Sequence, residues 1–149
     1  MLVSIIIPYY KKQKFIKKTI HSVLNQTFRN FEIIIVNDEP GKISDKILID
    51  LKRKDKRIKI ISNHKNIGAG LSRNKAIKLS KGKYIAFIDS DDLWKKNKLR
   101  LQINFMKKFK YNISHTAYNI IDENNKKLAI RKSRNLNYDN LIKSCDIGL

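Results

Sequence analysis

Residues 83–92 read KYIAFIDSDD, an apolar segment that runs directly into three carboxylates within four residues. If this segment is a strand, its alternation puts Asp89 and Asp91 on one side of an extended chain. Their repulsion would raise a pKa or recruit a divalent cation, and oxygen ligands in this number suit Mg²⁺ or Mn²⁺. The alternative is a turn in which Asp91 or Asp92 caps the following helix. Because a cap needs one carboxylate and not three, the pattern favours a metal site.

Short apolar segments alternate with helical patterns on the way to this stretch. The segments are rich in β-branched residues, which is typical of strands buried in a parallel sheet. The predicted strands are residues 3–8, 31–36, 58–61 and 84–88. The predicted helices are residues 15–28, residues 44–54, a helix that opens in the turn at 66–74, and residues 96–109. This order predicts an α/β fold, with a Rossmann-type, mostly parallel sheet flanked by helices and with ligands at the carboxyl ends of the strands.

The third helix and the C-terminal part carry more local predictions. Gly82 is expected to end the third helix as a C-cap. The apolar positions expected to face inward from that helix are Leu71, Ala76, Ile77 and Leu79. Residues 113–122 and 127–131 are expected to pair as a β-hairpin, and residues 138–144 to form a short helix. Because the sequence stops where another element would begin, we expect a single domain over residues 1–149 that is incomplete at its C-terminus.

The chain is strongly basic, with 33 Lys and Arg against 13 Asp and Glu and a formal net charge of +20. Such an excess attracts anionic partners. Seven of the basic residues are Arg, the residue that phosphate and base recognition favours, so the Lys-dominated excess argues against nucleic acid and leaves peripheral association with an anionic membrane open. Without a long apolar run or a secretory signal, and with a single cysteine, the sequence predicts a cytoplasmic location that includes the inner face of the plasma membrane.

Four motifs follow one another at the predicted strand ends and at the start of the third helix. They are SIIIPYY at residues 4–10, VND at 36–38, NIGAGLSRN at 66–74 and DSDDLW at 89–94. In this order and spacing they resemble the family 2 glycosyltransferases of GT-A fold, and the resemblance covers nearly the whole chain. It implies a UDP-sugar or other NDP-sugar donor, a Mn²⁺ or Mg²⁺ cofactor, and inverting transfer of the sugar to a cell-surface glycan or lipid-linked acceptor.

The resemblance also implies roles for individual residues. Pro8 and Tyr10 would border the nucleobase and ribose, and Asp38 would accept the uracil N3–H. The implied donor-binding set is Pro8, Tyr10, Asp38, Gly68, Arg73, Asp89, Ser90 and Asp91. Arg73 would lie near the diphosphate at a helix N-terminus, and Asp91, with Asp89, would hold the metal. Three of these residues also have a structural interpretation, in which Pro8 ends a strand, Asp38 holds a turn and Arg73 pairs with a carboxylate.

The chain departs from the family pattern in ways that leave its activity open. Asp38 is followed by Glu39-Pro40-Gly41 where the family usually has Gly-Ser, and Lys11 stands where Asn is common. The family's catalytic base is a carboxylate well downstream of the Asp-x-Asp, and the carboxylates after residue 94 lack the expected context. The base is therefore unknown and is expected beyond Leu149. Three hypotheses remain: a glycosyltransferase, a donor-binding fragment without the base, and a basic protein that binds nucleic acid or a membrane surface.

Overall fold

The computed structural model of the chain describes residues 1–132, except for the side chains of residues 42–45. It forms two compact units, Met1–Arg100 and Leu101–Leu149. The helix predicted at 138–144 lies outside the described residues, and the single domain over residues 1–149 stays a prediction.

The first unit is built around a four-stranded parallel sheet. Its strands are β1 (Val3–Tyr9), β2 (Phe31–Asn37), β3 (Ile58–Ser62) and β4 (Tyr84–Phe87). Their order across the sheet is β3-β2-β1-β4, and every neighbouring pair is parallel. Three helices lie wholly in this unit, α1 (Ile16–Leu24), α2 (Lys42–Lys54) and α3 (Ala69–Leu79), and α4 (Lys98–Phe109) begins in it and continues into the second unit. The predicted α/β fold with a mostly parallel sheet is confirmed.

The core lies on both faces of the two central strands. All seven residues of β1 and all seven of β2 are buried. Three isoleucine pairs face each other in register across these strands, Ile5 with Ile33, Ile6 with Ile34 and Ile7 with Ile35. Since burying one such side chain stabilises the fold by about 1.5–3 kcal/mol, this isoleucine ladder anchors the sheet whose edge carries the candidate site.

Helix α1 is shorter than predicted, because it ends at Leu24 and not near residue 28. Gln26 leaves the helical path and is fully buried. Its Nε2 donates to the Lys95 carbonyl at 2.8 Å, and its Oε1 accepts from the Leu99 N–H at 3.0 Å. The glutamine therefore ties the end of α1 to the start of α4, a tertiary role that helical periodicity does not reveal.

Helix α3 faces the sheet with small residues and not with its large apolar ones. Ala76 is buried as predicted, together with Ser72 one turn earlier. Leu71, Ile77 and Leu79 are exposed, so the prediction that they face inward is wrong. The buried pair Ser72 and Ala76 lies four residues apart on one face, which lets the helix backbone approach β1 and β2 closely.

Gly82 does not cap α3, because the C-cap is Ser80. Gly82 is needed for close packing instead. Its N–H donates to Ser4 Oγ at 2.8 Å. A Cβ at this position would lie 2.8 Å from both Ser4 Oγ and the Tyr84 carbonyl oxygen, and closer still to the Ser4 backbone nitrogen. The glycine therefore allows the chain to enter β4 directly beside β1.

The second unit contains the predicted hairpin. Strands β5 (Tyr118–Ile121) and β6 (Lys127–Arg131) pair antiparallel, so the hairpin is confirmed with a first strand shorter than expected. Asp122 Oδ1 accepts the Asn124 N–H at 2.9 Å and the Lys126 N–H at 2.8 Å, which closes the turn between the strands.

None of the helices within residues 1–132 has the length and apolar character that a bilayer-spanning segment requires.

Candidate functional site

The carboxyl ends of β1, β2 and β4 lie at one edge of the sheet, where the strand order reverses. The chain builds outward from β1 to β3 and then adds β4 on the other side of β1. Open α/β sheets bind ligands in the crevice at such a switch point, outside the carboxyl ends of the strands. The sheet therefore brings Pro8, Asp38 and Asp89 to one edge, with the crevice between β1 and β4.

Asp38 lies at the end of β2 and is 2% exposed. Its Oδ1 accepts from Asn63 Nδ2 at 2.8 Å and from the Ile67 N–H at 2.9 Å, and its Oδ2 accepts from the Gly68 N–H at 2.8 Å. Hydrogen bonds to a charged acceptor are among the stronger ones in proteins. Asp38 thus holds the loop that leads from β3 into α3, as its structural interpretation predicted.

Gly68 is the N-cap of α3 and has φ 86° and ψ 157°. This backbone conformation is accessible almost exclusively to glycine. Its N–H donates to Asp38 and also to Asn66 Oδ1 at 3.0 Å. The glycine therefore sets where α3 begins. The N-terminus of this helix, whose free N–H groups favour anions, lies at the carboxyl end of β3.

Arg73 pairs with Asp89 across the same edge. Arg73 Nη2 lies 2.6 Å from Asp89 Oδ1, and the arginine side chain is 18% exposed. The pair joins α3 to the segment that follows β4, which matches the structural interpretation of Arg73. Its Nε is buried and has no hydrogen-bond partner among the described residues. A buried donor left unpaired is uncommon and requires an explanation, which a bound anion would supply.

Asp91 pairs with Lys12, which follows β1 on the opposite side of the crevice. Lys12 Nζ lies 2.7 Å from Asp91 Oδ2, with the two side chains 42% and 36% exposed. The hydrogen bond and the charge of Asp91 raise the pKa of Lys12, despite an opposing effect of burial. The ion pair spans the switch point and keeps the lysine protonated.

The segment from Asp89 to Asp92 is a turn and not an extension of the strand. Strand β4 ends at Phe87, and the Asp92 N–H donates to the Asp89 carbonyl at 3.1 Å. Strand alternation therefore does not align Asp89 with Asp91, and each carboxylate has a different basic partner. The alternative of a helix cap is also wrong, because α4 begins at Lys98.

Asp92 carries a penalty for its negative charge. Burial by neighbouring atoms, followed by repulsion from Asp89 and Asp91, raises the pKa of Asp92 to about 6, while Lys12 opposes the rise. Part of the Asp92 side chain remains exposed to solvent. The acidic turn therefore holds more negative charge than Lys12 and Arg73 neutralise.

The other residues of the predicted set differ in accessibility. Pro8 is buried inside β1, whereas Tyr10 is exposed just beyond the strand, with Lys11 Nζ 5.2 Å from the centre of its ring. Ser90 is buried, and its carbonyl accepts from Thr19 Oγ1 at 2.9 Å. Tyr10 can contact a ligand directly, while Ser90 anchors the acidic turn to α1.

The sequence did not reveal the structural roles of three residues that organise this edge. Lys12 supplies the partner of Asp91, and Asn63 binds Asp38. Glu39 Oε2 accepts from the Lys11 N–H and from Gln13 Nε2, both at 2.8 Å, and so braces the loop after β1. Their positions gave a usable signal, since each of the three follows a predicted strand end by no more than a few residues.

A metal ion would fit this edge if its other ligands came with it. Within the described part of the chain, no three His, Cys, Asp or Glu side chains converge on one point. Mg²⁺ at phosphate sites needs one or two carboxylates, because waters and substrate phosphates complete its octahedron. Asp91 is accessible and its Oδ2 already binds a cationic group, the Lys12 ammonium. The oxygen donors of Asp91 and Asp89 therefore fit Mg²⁺ or Mn²⁺ arriving with a diphosphate.

The crevice is defined by its charged side chains. Two shallow grooves in the first unit lie elsewhere, one beside Lys59 and Ile61 and the other beside Ser22 and Trp94. Neither includes the acidic turn. The carboxylates and their partners, and not the concavity of the surface, identify the candidate site.

Known proteins with the same pattern decide the family. The model of glycosyl transferase family 2 matches residues 4–147. The chain belongs to glycosyl transferase family 2. A family 2 relative, the putative teichuronic acid biosynthesis glycosyltransferase TuaG of Bacillus subtilis, is 38% identical over 99% of this chain and 59% of its own length. The UDP-Glc:α-D-GlcNAc-diphosphoundecaprenol β-1,3-glucosyltransferase WfgD of Escherichia coli is 38% identical over 99% of this chain and 57% of its own length.

The family 2 fold is also seen in solved structures. Residues 1–349 of S. aureus TarS, crystallised in complex with UDP, superpose with a TM-score of 0.66 and 30% identity, over 72% of this chain and 32% of that chain. The predicted GT-A-like fold is thereby confirmed. The chain spans less than three fifths of the length of TuaG and WfgD.

Proposed function

We propose that this chain is the donor-binding part of a family 2 glycosyltransferase that uses a UDP-sugar, or another NDP-sugar, and a divalent metal. The main support for this proposal is the set of charged groups at the switch point, between the carboxyl ends of β1 and β4. There an accessible carboxylate, Asp91, and an arginine whose buried Nε is unpaired, Arg73, both occupy positions of the family motifs. Clefts of this charge pattern suit a phosphate group bridged to protein by a metal ion.

The diphosphate end of the donor would meet Asp91, Asp89 and Arg73. Asp91 would hold the metal, which when bound neutralises charge on the departing diphosphate. Asp89 Oδ1 keeps Arg73 in place through their 2.6 Å contact. Asp89 would therefore use its other oxygen, Oδ2, to bind waters of the metal. The unpaired Nε of Arg73 would donate to a phosphate oxygen.

The nucleoside end would meet Pro8, Tyr10 and Asp38. Tyr10 offers an exposed ring edge to the base or ribose. A carboxylate has about four acceptor positions. The contacts of Asp38 with Asn63, Ile67 and Gly68 use three of them, which leaves one on Oδ2 for an imide N–H such as uracil N3–H.

Transfer of the sugar with inversion needs a carboxylate base that deprotonates the acceptor hydroxyl. Asp122, which follows the acidic turn in sequence, uses its Oδ1 to close the hairpin turn. That use argues against Asp122 as the base. The second candidate function is therefore a donor-binding fragment that does not catalyse transfer by itself.

The acceptor would be a cell-envelope glycan or a lipid-linked sugar, presented at an anionic membrane. WfgD is named for a diphosphoundecaprenol-linked acceptor and TuaG for teichuronic acid biosynthesis. In the second unit, the exposed rings of Phe105, Phe109 and Tyr111 form a cluster with centroids 4.9–5.9 Å apart. Exposed lysines flank these rings at positions 107, 108 and 110, a combination suited to anionic headgroups.

Vesicle sedimentation tests the membrane part. We expect binding to vesicles that contain phosphatidylglycerol and not to pure phosphatidylcholine, and we expect Phe105→Ser with Phe109→Ser to weaken it at unchanged net charge. Equal binding of the double variant would refute the aromatic cluster as the contact surface.

Calorimetric titration with UDP tests the donor site. It is carried out at 0.2 M salt, with and without Mn²⁺, on the natural protein, on Asp91→Asn and on the control Asp50→Asn, an exposed carboxylate on α2. We expect Mn²⁺-dependent UDP binding that Asp91→Asn abolishes and Asp50→Asn retains. A nucleic-acid binder would instead lose its affinity between 50 and 200 mM salt, through about six to ten phosphate contacts, and would ignore Asp91. Binding indifferent to metal and to Asp91→Asn would leave the family resemblance as fold alone.

A further inference from the structure

Lys12 occupies a distinct position in the crevice. It approaches from the loop after β1, whereas the acidic turn follows β4 on the other side of the switch point. Its ammonium lies 2.7 Å from Asp91 Oδ2. Lys12 therefore sits at the oxygen that a divalent ion would need.

The loop that carries Lys12 is braced on both sides. Glu39 Oε2 accepts from the Lys11 N–H before it and from Gln13 Nε2 after it. The Lys12 carbonyl accepts from the Phe15 and Ile16 N–H groups, each at 3.0 Å. The backbone is thus held in place, while the side chain is 42% exposed and carries its ammonium on a flexible four-carbon stem. Its ammonium can move without any change in the loop.

The charge balance of the crevice changes when a divalent ion binds. The three carboxylates of the acidic turn outnumber their two basic partners, Lys12 and Arg73, by one charge. Addition of a divalent ion reverses that sign and leaves a net positive charge. A bound divalent ion therefore makes the crevice more attractive to a diphosphate than the metal-free crevice is.

We propose that Lys12 is an exchangeable cation of the donor site, bound to Asp91 in the empty protein and transferred to the donor diphosphate when a divalent metal takes Asp91. The proposal rests on the proposed function, because it needs a metal and a diphosphate at Asp91. It assigns Lys12 two opposite effects. Lys12 competes with the metal in the absence of nucleotide, and it supports the nucleotide once the metal is present.

The variant Lys12→Met separates these effects, since it keeps the apolar stem and removes the ammonium. An exposed ion pair contributes little, so we expect the affinity for Mn²⁺ alone to rise by about two- to fivefold. With Mn²⁺ saturating, we expect the affinity for UDP to fall by about ten- to a hundredfold, the range for loss of one charged hydrogen bond. Lys12→Arg, which keeps the charge, should retain most of the UDP affinity.

Two measurements on each purified variant decide the matter. The electron paramagnetic resonance signal of free aqueous Mn²⁺ gives metal binding without nucleotide, and calorimetry gives UDP binding at saturating Mn²⁺. Lys17→Met, an exposed lysine on α1, is the control for net charge. Thermal unfolding by circular dichroism checks that every variant is folded.

Opposite changes in Lys12→Met, absent from Lys17→Met, would support the exchange. A variant that weakened both ligands, changed neither, or behaved like Lys17→Met would overturn it. If Asp91→Asn bound UDP as the natural protein does, with or without Mn²⁺, the proposed function would be wrong, and the Lys12 proposal, which depends on it, would be wrong as well. If only the Lys12 proposal were wrong, Asp91→Asn would still lose Mn²⁺-dependent UDP binding.

Discussion

Asp38→Asn tests the strongest structural statement about the site, that the Asp38 carboxylate holds the loop before α3. The amide keeps one acceptor oxygen and places an NH₂ group against one of three donors, from Asn63, Ile67 and Gly68. The donor that faces the NH₂ group loses its bond to residue 38, although Gly68 would keep its second bond to Asn66 Oδ1. With the lost charge assistance of the remaining bonds, the cost is about 1–3 kcal/mol. The amide is easier to bury than a carboxylate, which offsets part of this loss. We expect the free energy of unfolding to fall by about 1–3 kcal/mol.

Urea denaturation, followed by circular dichroism, measures this change, and a thermal scan should show a melting temperature lower by about 5–10 °C. Glu39→Gln is the matched control. It alters the next carboxylate along the chain, whose partners Lys11 and Gln13 lie in an exposed loop where water can replace the lost bonds. We expect the control to cost less than about 1 kcal/mol.

A loss below about 0.5 kcal/mol in Asp38→Asn, or a loss equal to that of Glu39→Gln, would refute the reasoning. Such a result would mean that the three hydrogen bonds contribute nothing beyond those of a surface loop. Under that outcome the proposed contact of Asp38 with the nucleobase would be its main role. The substitution would then lower the affinity for UDP and not the stability, which a UDP titration of the same variant would show.

Three further predictions address packing, backbone strain and pH. Gly82→Ala should destabilise the protein by more than about 2 kcal/mol in urea denaturation, because its Cβ would meet the backbone of Ser4, whereas an unchanged midpoint would contradict the close contact. Lys11→Gly should raise stability by about 0.5–1 kcal/mol in the same assay, since Lys11 has φ 50°, and a loss of stability would contradict this account. Burial lowers the pKa of Lys98 to about 8, so the unfolded chain binds more protons above pH 8 and stability should rise from about pH 8 to pH 10. Lys98→Met should flatten that rise and stabilise the protein at pH 7 by about 1–3 kcal/mol, after loss of the contact with Trp94, and an unchanged pH profile would count against it.

The sheet was largely predictable from the sequence, and for a physical reason. Strands β1 and β2 are buried on both faces, so almost every position must be apolar and the run itself marks the strand. Their observed bounds differ from the predicted ones by a single residue at the C-terminal end, Tyr9 and Asn37.

Helix α3 shows where pattern reading fails. Large apolar side chains predicted its inner face, yet Leu71 is 59% exposed while Ser72 is fully buried. The closeness of the helix to the sheet, and not hydrophobicity, selects the residues at that contact. Only the distance between α3 and strands β1 and β2 in the folded structure shows that small residues are required there.

The candidate site was predicted in its residue types but not in its pairings. Strand ends located Asp38 and the acidic turn, because topology brings those ends together. Sequence spacing could not show that Lys12 reaches Asp91 across the switch point, or that a turn replaces strand geometry after Phe87. Pairings between distant segments depend on the loop conformations, which a linear pattern does not contain.

These pairings divide the crevice into a fixed half and an exchangeable half. Asp38 is buried under three hydrogen bonds, and Arg73 is 18% exposed against Asp89, so breaking either contact leaves a desolvated group unpaired. Lys12 and Asp91 are 42% and 36% exposed, and an ion pair in water contributes only about 0–1 kcal/mol. A ligand can therefore displace Lys12 from Asp91 at little cost, while the loop before α3 and the guanidinium stay in place. The burial of each pair, more than its charge, determines which contact a ligand can exchange first.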